Sequence, residues 1–393
     1  MHLETLPPDS PVRLLINDYE TVWTRMRPGS GRPTHGIRIV SGKAFWSTIN
    51  LGDNFTLQTA PPGVQIELLK TPQTASAVSG ANDHPPSSEC SGRTLFGAYL
   101  FIDYSGAEKV SQQRKAIRIA YGEGPSPACL IEDRHDRATL VDFIVNRLQS
   151  ASRLGIRICL GQDHSLGIPI GLARELGISH MPWRMAVGSF LDGAYDPTAP
   201  AFLQLGEFAF RLNRWLVEQG RKEYFWSATK AQRYEVPGLD PRKGETDGSA
   251  YRLTDRCRSQ TGRGTPKPFN RLGDPGSVGG QSLLGMVRIL ELIDRCKTEG
   301  IELKFWPFDG LDISGAEYEG AHVFVEPYPS ALRPEGVEQT DTNDALHTAL
   351  AIQEADWKGE AASLFDLSRL ESNDIPTVLF EGWIVGNIVG ARR

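Results

Sequence analysis

The stretch Tyr99-Leu-Phe-Ile-Asp-Tyr-Ser-Gly106 constrains the fold more than any other part of the chain. Four consecutive large apolar residues, Tyr99 to Ile102, are typical of a strand that is buried on both faces of a sheet. Asp103 follows directly, and a buried carboxylate is unfavourable unless it is paired or binds a cation. We therefore expect a central strand whose end presents Asp103 to a charged or polar partner.

The elements that follow predict a mixed sheet around this strand. Further strands are predicted over 115–121, 128–131 and 156–160, and a helix with apolar residues at helical spacing is predicted over 137–154. This order is typical of the start of an RNase H-like core, in which the fourth strand lies parallel beside the first. Asp103 and Asp163 would then meet at one edge, where α/β sheets usually bind ligands.

Three more acids end or begin predicted elements. The predicted strand 322–325 ends in Glu326, and a helix is predicted from Asp341. Asp344 lies three residues after Asp341 and therefore on the same helix face. His347 is one turn from Asp344 and is a candidate general acid, general base or substitute ligand. The structural alternatives are that Asp341 caps the helix, that Asp163 belongs to a turn, and that His347 is only hydrogen-bonded there.

Carboxylates brought together repel each other, and a divalent cation relieves that repulsion. Oxygen ligands favour Mg²⁺ or Mn²⁺ over Zn²⁺. Two such ions about 4 Å apart suit the attack of water on a phosphodiester. We expect the metal ligands to be Asp103, Asp163, Glu326, Asp341 and Asp344, and the catalytic residues to be Asp103, Asp163, Glu326, Asp344 and His347.

A large insertion, 172–280, interrupts the pattern. Within it, 221–272 holds 12 Lys and Arg against 6 Asp and Glu, with aromatic residues interleaved. Such a segment is a candidate surface for a nucleic-acid backbone, and a solvated loop with a few anchoring aromatics is the alternative. The candidate substrate-binding residues are Lys230, Arg233, Arg252, Arg256 and Arg258. A Gly-rich turn at 273–280 precedes a helix and is either a phosphate cradle or a tight turn.

The N-terminal part has a different character. Strands are predicted over 36–40, 44–49 and 64–69, so 1–72 is expected to form a small, mostly β module that is available to a protein partner. The stretch 73–93 is rich in Ser, Ala, Pro and Gly and is the expected linker. The remainder, 94–393, is the expected α/β domain.

Composition indicates the cellular compartment and the classes of partner to expect. Five cysteines without a Cys-x-x-Cys pair indicate a reducing compartment. The N-terminus does not resemble a signal peptide, and no apolar run is long enough to span a membrane. A cytoplasmic location without a membrane partner is expected. The net charge of −6 argues against a non-specific nucleic-acid coat protein but is compatible with a local basic groove.

Several motifs together resemble a family of predicted nucleases within the RNase H-like superfamily, catalogued as domain of unknown function 429. The resemblance covers about 95–390, and its matching segments are Phe-Ile-Asp103-Tyr-Ser-Gly, Gly-Gln-Asp163-His-Ser-Leu-Gly, Gly-Ser-Val-Gly-Gly-Gln-Ser-Leu-Leu-Gly285, Phe-Trp-Pro307-Phe, Val-Glu326-Pro-Tyr-Pro-Ser-Ala, Asn-Asp344-Ala-Leu-His-Thr-Ala and Glu381-Gly-Trp-Ile-Val-Gly. It implies a mixed five-stranded sheet flanked by helices, with metal-binding acids at these positions.

Three functions are compatible with this pattern. The first is an Mg²⁺- or Mn²⁺-dependent nuclease acting on DNA or RNA. The second is a non-catalytic nucleic-acid-binding or scaffold protein that uses 1–72 and the basic part of the insertion. The third is an ATP-dependent phosphotransferase of actin-like fold, which requires two phosphate loops and a second repeat of the core. Only one repeat is visible in the sequence.

Overall fold

The computed structural model of the chain describes residues 11–16, 19–25, 37–39, 94–192, 201–227, 239, 250–259, 261–264, 266–273 and 278–392. The chain divides into two compact units, Met1–Ser87 and Ser88–Arg393. The first contains an antiparallel sheet in the order β1 (Pro11–Ile16), β2 (Tyr19–Arg25) and β3 (Ile37–Ile39). The predicted strand 36–40 contains β3. The predicted strands 44–49 and 64–69 and the linker 73–93 lie outside the described residues.

The second unit alternates strands and helices. Its strands are β4 (Ala98–Asp103), β5 (Arg118–Glu123), β6 (Cys129–Leu130), β7 (Ile158–Gln162), β8 (Trp226–Ser227), β9 (Cys257–Ser259), β10 (Arg271–Leu272), β11 (Leu303–Phe305), β12 (His322–Val325) and β13 (Asn387–Arg392). Its helices are α1 (Val110–Ala116), α2 (Arg137–Arg153), α3 (Ile170–Glu175), α4 (Trp183–Leu191), α5 (Ala201–Glu218), α6 (Val278–Thr298), α7 (Pro329–Leu332), α8 (Asp341–Trp357), α9 (Ala361–Leu364) and α10 (Ile375–Glu381). No described helix combines the length and apolar character needed to cross a bilayer.

The main sheet has the strand order β11-β12-β7-β4-β5-β6. Strands β4, β7, β12 and β11 run parallel to one another, whereas β5 is antiparallel to both β4 and β6. The predicted neighbours, first strand beside a parallel fourth strand, are confirmed by the pairing of β4 with β7. The sheet has six strands, so the expected number of five is corrected.

Strand β4 is buried on both faces, as its apolar run predicts. Leu100 and Ile102 belong to a core that also contains buried residues of α2 and α6, whereas Tyr99 and Phe101 belong to a second core that contains buried residues of α8. Successive side chains of a strand point to opposite faces. The sheet is therefore covered by helices on both sides, and β4 lies at its centre.

Helix α2 shows how closely local signals set the boundaries. The side chain of Asp136 accepts hydrogen bonds from the backbone N–H groups of Ala138 and Thr139. The Thr139 hydroxyl in turn accepts a hydrogen bond from the backbone N–H of Asp136. Gly155 takes a φ of 68° just beyond the helix, a conformation that favours glycine. The predicted helix over 137–154 is confirmed. The predicted strand over 115–121 is wrong at its start, because Lys115 and Ala116 belong to α1.

Helix α8 is attached to the start of β4 at its C-terminal end. The carboxylate of Asp356, which is only 1% exposed, accepts hydrogen bonds from the backbone N–H groups of Leu95 and Phe96 and from the Tyr99 hydroxyl, at 2.8, 2.9 and 2.6 Å. Ala345 and Ala349 are fully buried on the face that packs against the sheet, so the helix lies close to it. The N-terminal end of the same helix carries Asp341 and Asp344.

Candidate functional site

Asp103 and Asp163 lie at one edge of the sheet, as predicted. Asp103 is the last residue of β4, and Asp163 directly follows β7, whose last paired residue, Gln162, lies opposite Ile102. The backbone N–H of Tyr104 donates a hydrogen bond to Oδ1 of Asp163 at 2.6 Å. Parallel strand order therefore places two carboxylates side by side, and both residues are partly exposed.

Gln281, on the first turn of α6, connects these two strand ends. Its Nε2 donates to Oδ1 of Asp163 at 3.1 Å and to the carbonyl oxygen of Tyr104 at 2.7 Å. Gly279, two residues earlier, packs closely against the end of the insertion, because a Cβ there would lie 2.2 Å from the carbonyl oxygen of Phe269. The described part of the Gly-rich segment thus serves close packing, whereas 274–277 lie outside the described residues.

The first turn of α8 brings two more acids to this edge. The helix is capped by Thr340, whose hydroxyl accepts a hydrogen bond from the N–H of Asn343 at 3.1 Å, so Asp341 is not the cap. Asp341 is exposed, whereas Asp344 is buried. The charges of both raise the pKa of Asp103, which places them within electrostatic reach of the strand ends.

The four aspartates do not carry four independent charges. Burial raises the pKa of Asp103 well above its usual range, and the charges of Asp163, Asp341 and Asp344 raise it further. Burial raises the pKa of Asp163 to about 7, although hydrogen bonds from Tyr104 and Gln281 oppose this effect. Protonation of Asp163 is therefore favoured up to about neutral pH unless a cation compensates the negative charge of the site.

Arg333 supplies one such cation. It lies directly after α7, and its guanidinium forms an ion pair with the carboxylate of Asp344. Burial raises the pKa of Asp344, and this ion pair opposes the shift. We did not predict this residue from the sequence; its only signal is its place after the Glu326-Pro-Tyr-Pro-Ser motif.

Glu326 has a different neighbourhood from the aspartates. Its Oε1 and Oε2 accept hydrogen bonds from Nη2 and Nη1 of Arg252, both at 2.6 Å, and Arg252 also contacts Asp255 at 2.9 Å. All three side chains are buried, with Arg252 only 1% exposed. The predicted roles of Glu326 as metal ligand and of Arg252 as substrate contact are corrected, because each neutralises the other inside the protein.

Of the other candidates in the basic insertion, Arg256 alone has a side chain that the structure describes. Arg256 is exposed, and its guanidinium donates to the carbonyl oxygen of Tyr251. Arg258 belongs to β9, and its side chain is outside the described part, as are Lys230 and Arg233 altogether. The described aromatic residues are mostly core: Tyr224, Phe225, Trp226 and Phe269 are all buried. A stacking platform built from these aromatics is therefore contradicted.

The two histidines beside the acids have different environments. His347 is partly exposed and lies on α8 one turn after Asp344, near the acid group. His164 is buried, contacts Oε1 of Gln162 through Nε2 at 2.8 Å, and packs against the ring of Tyr104. Burial lowers the pKa of His164 to about 4, so it is neutral at physiological pH. His347 remains a candidate for proton transfer, whereas His164 supports the strand ends.

The carboxylate oxygens at this edge are ligands of the type that Mg²⁺ or Mn²⁺ prefers, but the described side chains are not grouped around one centre. Within the described ranges, no three side chains of His, Cys, Asp or Glu are grouped so that they hold a metal ion. Asp163 is engaged by Tyr104 and Gln281, and Asp344 by Arg333. Asp103 and Asp341 have oxygen atoms suited to Mg²⁺ or Mn²⁺. Binding would therefore require Arg333 to leave Asp344.

No protein-family model matches the chain, and neither a curated protein nor a solved structure matches it. The resemblance to the family of predicted nucleases therefore stays a prediction, and function has to be inferred from the side chains themselves.

Proposed function

We propose that the protein is a metal-dependent nuclease whose site is formed by Asp103, Asp163, Asp341 and Asp344. The observation that carries this proposal is the convergence of four aspartates from β4, α8 and the residue after β7 on one sheet edge, where burial and the charges of the other three raise the pKa of Asp103. A group of acids that is unfavourable without a cation is typical of sites that hold Mg²⁺ or Mn²⁺.

The roles of the residues follow from their exposure. A bound divalent ion would activate water and compensate the charge of a phosphodiester undergoing attack. Asp103 and Asp341 would hold the ion, with Asp163 and Asp344 as further ligands. His347 would donate a proton to the leaving oxygen as the phosphorus–oxygen bond breaks. Arg333, once released from Asp344, would contact the negatively charged phosphate.

The strand arrangement supports an RNase H-like core as the finer description of the fold. The order β6-β5-β4-β7, with β5 antiparallel and β7 parallel to β4, agrees with the arrangement that we expected from the sequence, and β12 continues the sheet beside β7. Strand β11 then extends the sheet at one edge. We propose this assignment together with the nuclease function.

The test is a cleavage screen over single strands, duplexes, hybrids and branched DNA, each with Mg²⁺ and with Mn²⁺. We expect wild-type protein to cleave at least one substrate, and the double variant Asp103→Asn with Asp344→Asn to be inactive but folded. The matched control is Asp142→Asn with Asp294→Asn on α2 and α6, whose activity should equal that of wild type. Cleavage by the Asp103 and Asp344 variant would exclude the proposed site.

A second candidate is a non-catalytic nucleic-acid-binding protein. The specific observation in its favour is that two of the predicted metal ligands already form ion pairs with arginines of the chain, Asp344 with Arg333 and Glu326 with Arg252. Binding of nucleic acid without cleavage under every metal condition of the screen would favour this function.

A further inference from the structure

An open cavity of about 650 Å³ lies between α1, the start of β5 and the segment before α2. It is lined by Val110, Ser111, Arg114, Lys115, Arg118 and Arg134. Four of these six residues are basic, and the lining contains no acid. None of them was a candidate from the sequence, because α1 has no apolar periodicity and the cations are separated along the chain.

Three of the four cations are available to a ligand. Arg114 is engaged, since its guanidinium donates to Oδ2 of Asp136 at 2.9 and 3.1 Å. Lys115 and Arg134 are exposed and, among the described residues, have no carboxylate partner within ion-pair distance. Arg118 is partly buried, and its Nη1 donates to the carbonyl oxygen of Ile117 at 2.9 Å.

The positive charges in the cavity repel each other. Burial lowers the pKa of Arg118, and the nearby charge of Arg134 lowers it further. Glu132 and Asp133 precede Arg134, yet neither forms an ion pair with a described residue. An anion between Arg118, Arg134 and Lys115 would remove this repulsion and gain charge-assisted hydrogen bonds.

The cavity adjoins the acid group through a single residue. Arg118 lies directly opposite Asp103 in the antiparallel pairing of β4 with β5. Arg118 therefore lines the cavity and also lies beside the acid group. A phosphate in the cavity would lie beside the carboxylates without occupying their place.

We propose that this cavity binds a phosphate group of a nucleic-acid strand that flanks the bond presented to the acid site. This inference rests on the proposed nuclease function for its choice of ligand, a phosphodiester chain. Phosphate contacts of this kind position a strand without reading its sequence, so we expect binding with little base preference. A small phosphorylated molecule shares the same chemistry and is the alternative source of the phosphate.

The test measures binding rather than cleavage, and therefore separates the two proposals. The full chain in EDTA is titrated into a fluorescein-labelled single-stranded 12-mer, and anisotropy is followed for wild type and for Lys115→Glu with Arg134→Glu. The matched control is Arg153→Glu with Lys297→Glu, an exposed pair on α2 and α6 with the same change in net charge. Inorganic pyrophosphate is the competitor that reports on a small phosphorylated ligand.

We expect the cavity variant to bind the 12-mer about tenfold or more weakly than the control. The slope of log affinity against log salt should also fall by about 1.4, because two strand contacts are lost. Equal binding by the two variants, or absence of oligonucleotide binding by wild type, would overturn the inference. Displacement by pyrophosphate at lower concentration than an unlabelled 12-mer would overturn the strand assignment. Weakened binding without any cleavage by wild type would support the cavity and reject the nuclease.

Discussion

Asp103 and Arg118 are directly opposite each other on β4 and β5, at the point where the acid group meets the basic cavity. Burial raises the pKa of Asp103 and lowers the pKa of Arg118, and the charge of each residue opposes the shift of the other. The pair joins two regions of opposite charge at one sheet edge. Such an arrangement suits a substrate with several negative charges. A metal ion at the acid group would compensate one of these charges, and the basic cavity would attract another.

Metal affinity should increase with pH. The pKa of Asp163 is raised to about 7, so below this pH a cation has to displace a proton from a ligand. We expect Mn²⁺ binding to tighten by up to about tenfold per pH unit between about pH 5.5 and 7 and to level off above. Calorimetry in buffers of different ionisation enthalpy measures both affinity and proton release. Asp163→Asn should reduce the pH dependence, because Asp103 and Asp344 still have to lose a proton, and an affinity independent of pH in wild type would contradict the prediction.

Asp103→Asn should stabilise the metal-free protein. The folded-state pKa of Asp103 is raised, so its ionisation destabilises the fold as pH rises from about 4 through the folded-state pKa. The neutral amide avoids this effect. We expect the Tm in EDTA at pH 8 to rise by about 2–4 °C, the shift produced by about 1 kcal/mol in a large domain. At pH 4 the two proteins should differ little. A lower Tm of the variant at pH 8 would show that the carboxylate is satisfied without metal.

Arg333→Gln should strengthen metal binding. Arg333 neutralises Asp344 and competes with any cation for its oxygen atoms. Removing one positive charge near the site should tighten Mn²⁺ binding by about threefold to tenfold. The same variant should cleave more slowly if Arg333 also contacts the phosphate. Calorimetry and cleavage rates measure the two effects separately, and Arg369→Gln at an exposed position is the control. Weaker metal binding would show that Arg333 holds Asp344 in position.

Glu326→Gln should reduce stability without changing metal affinity. The variant leaves Arg252 with one full counter-charge, Asp255, inside the protein. Breaking a buried ion pair typically costs about 3–5 kcal/mol, and Asp255 should reduce that cost. Urea unfolding measures the loss, and Mn²⁺ calorimetry of the folded variant should match wild type. Loss of metal binding at unchanged stability would return Glu326 to the metal site.

The sequence predicts the centre of the site better than its rim. The apolar run before Asp103 determines a strand buried on both faces. Helix α2, between β6 and β7, allows β7 to run parallel to β4. These two facts bring Asp163 to Asp103. By contrast, the partner of Glu326 is 74 residues away, and nothing in the pattern around Arg252 distinguishes a buried from a solvated arginine.

Two other features escaped prediction for physical reasons. Helix α1 is almost entirely polar, with Gln113 as its one buried residue, so it has no apolar face to recognise. The aromatic residues of the insertion were compatible with either a stacking surface or a core, and Phe225 and Phe269 proved to be core. Local sequence does not distinguish these two states, because the choice depends on which distant elements cover the side chain.

The attachment of α8 through Asp356 has a consequence far from the edge where the acids meet. Asp356 follows Asp344 by twelve residues, or about 18 Å along a helix. Its carboxylate accepts hydrogen bonds from the backbone just before β4 begins, and Asp344 lies near the end of the same strand. The helix is thus prevented from sliding lengthwise along the strand, and loosening its remote end would displace both of its acids together as one rigid piece.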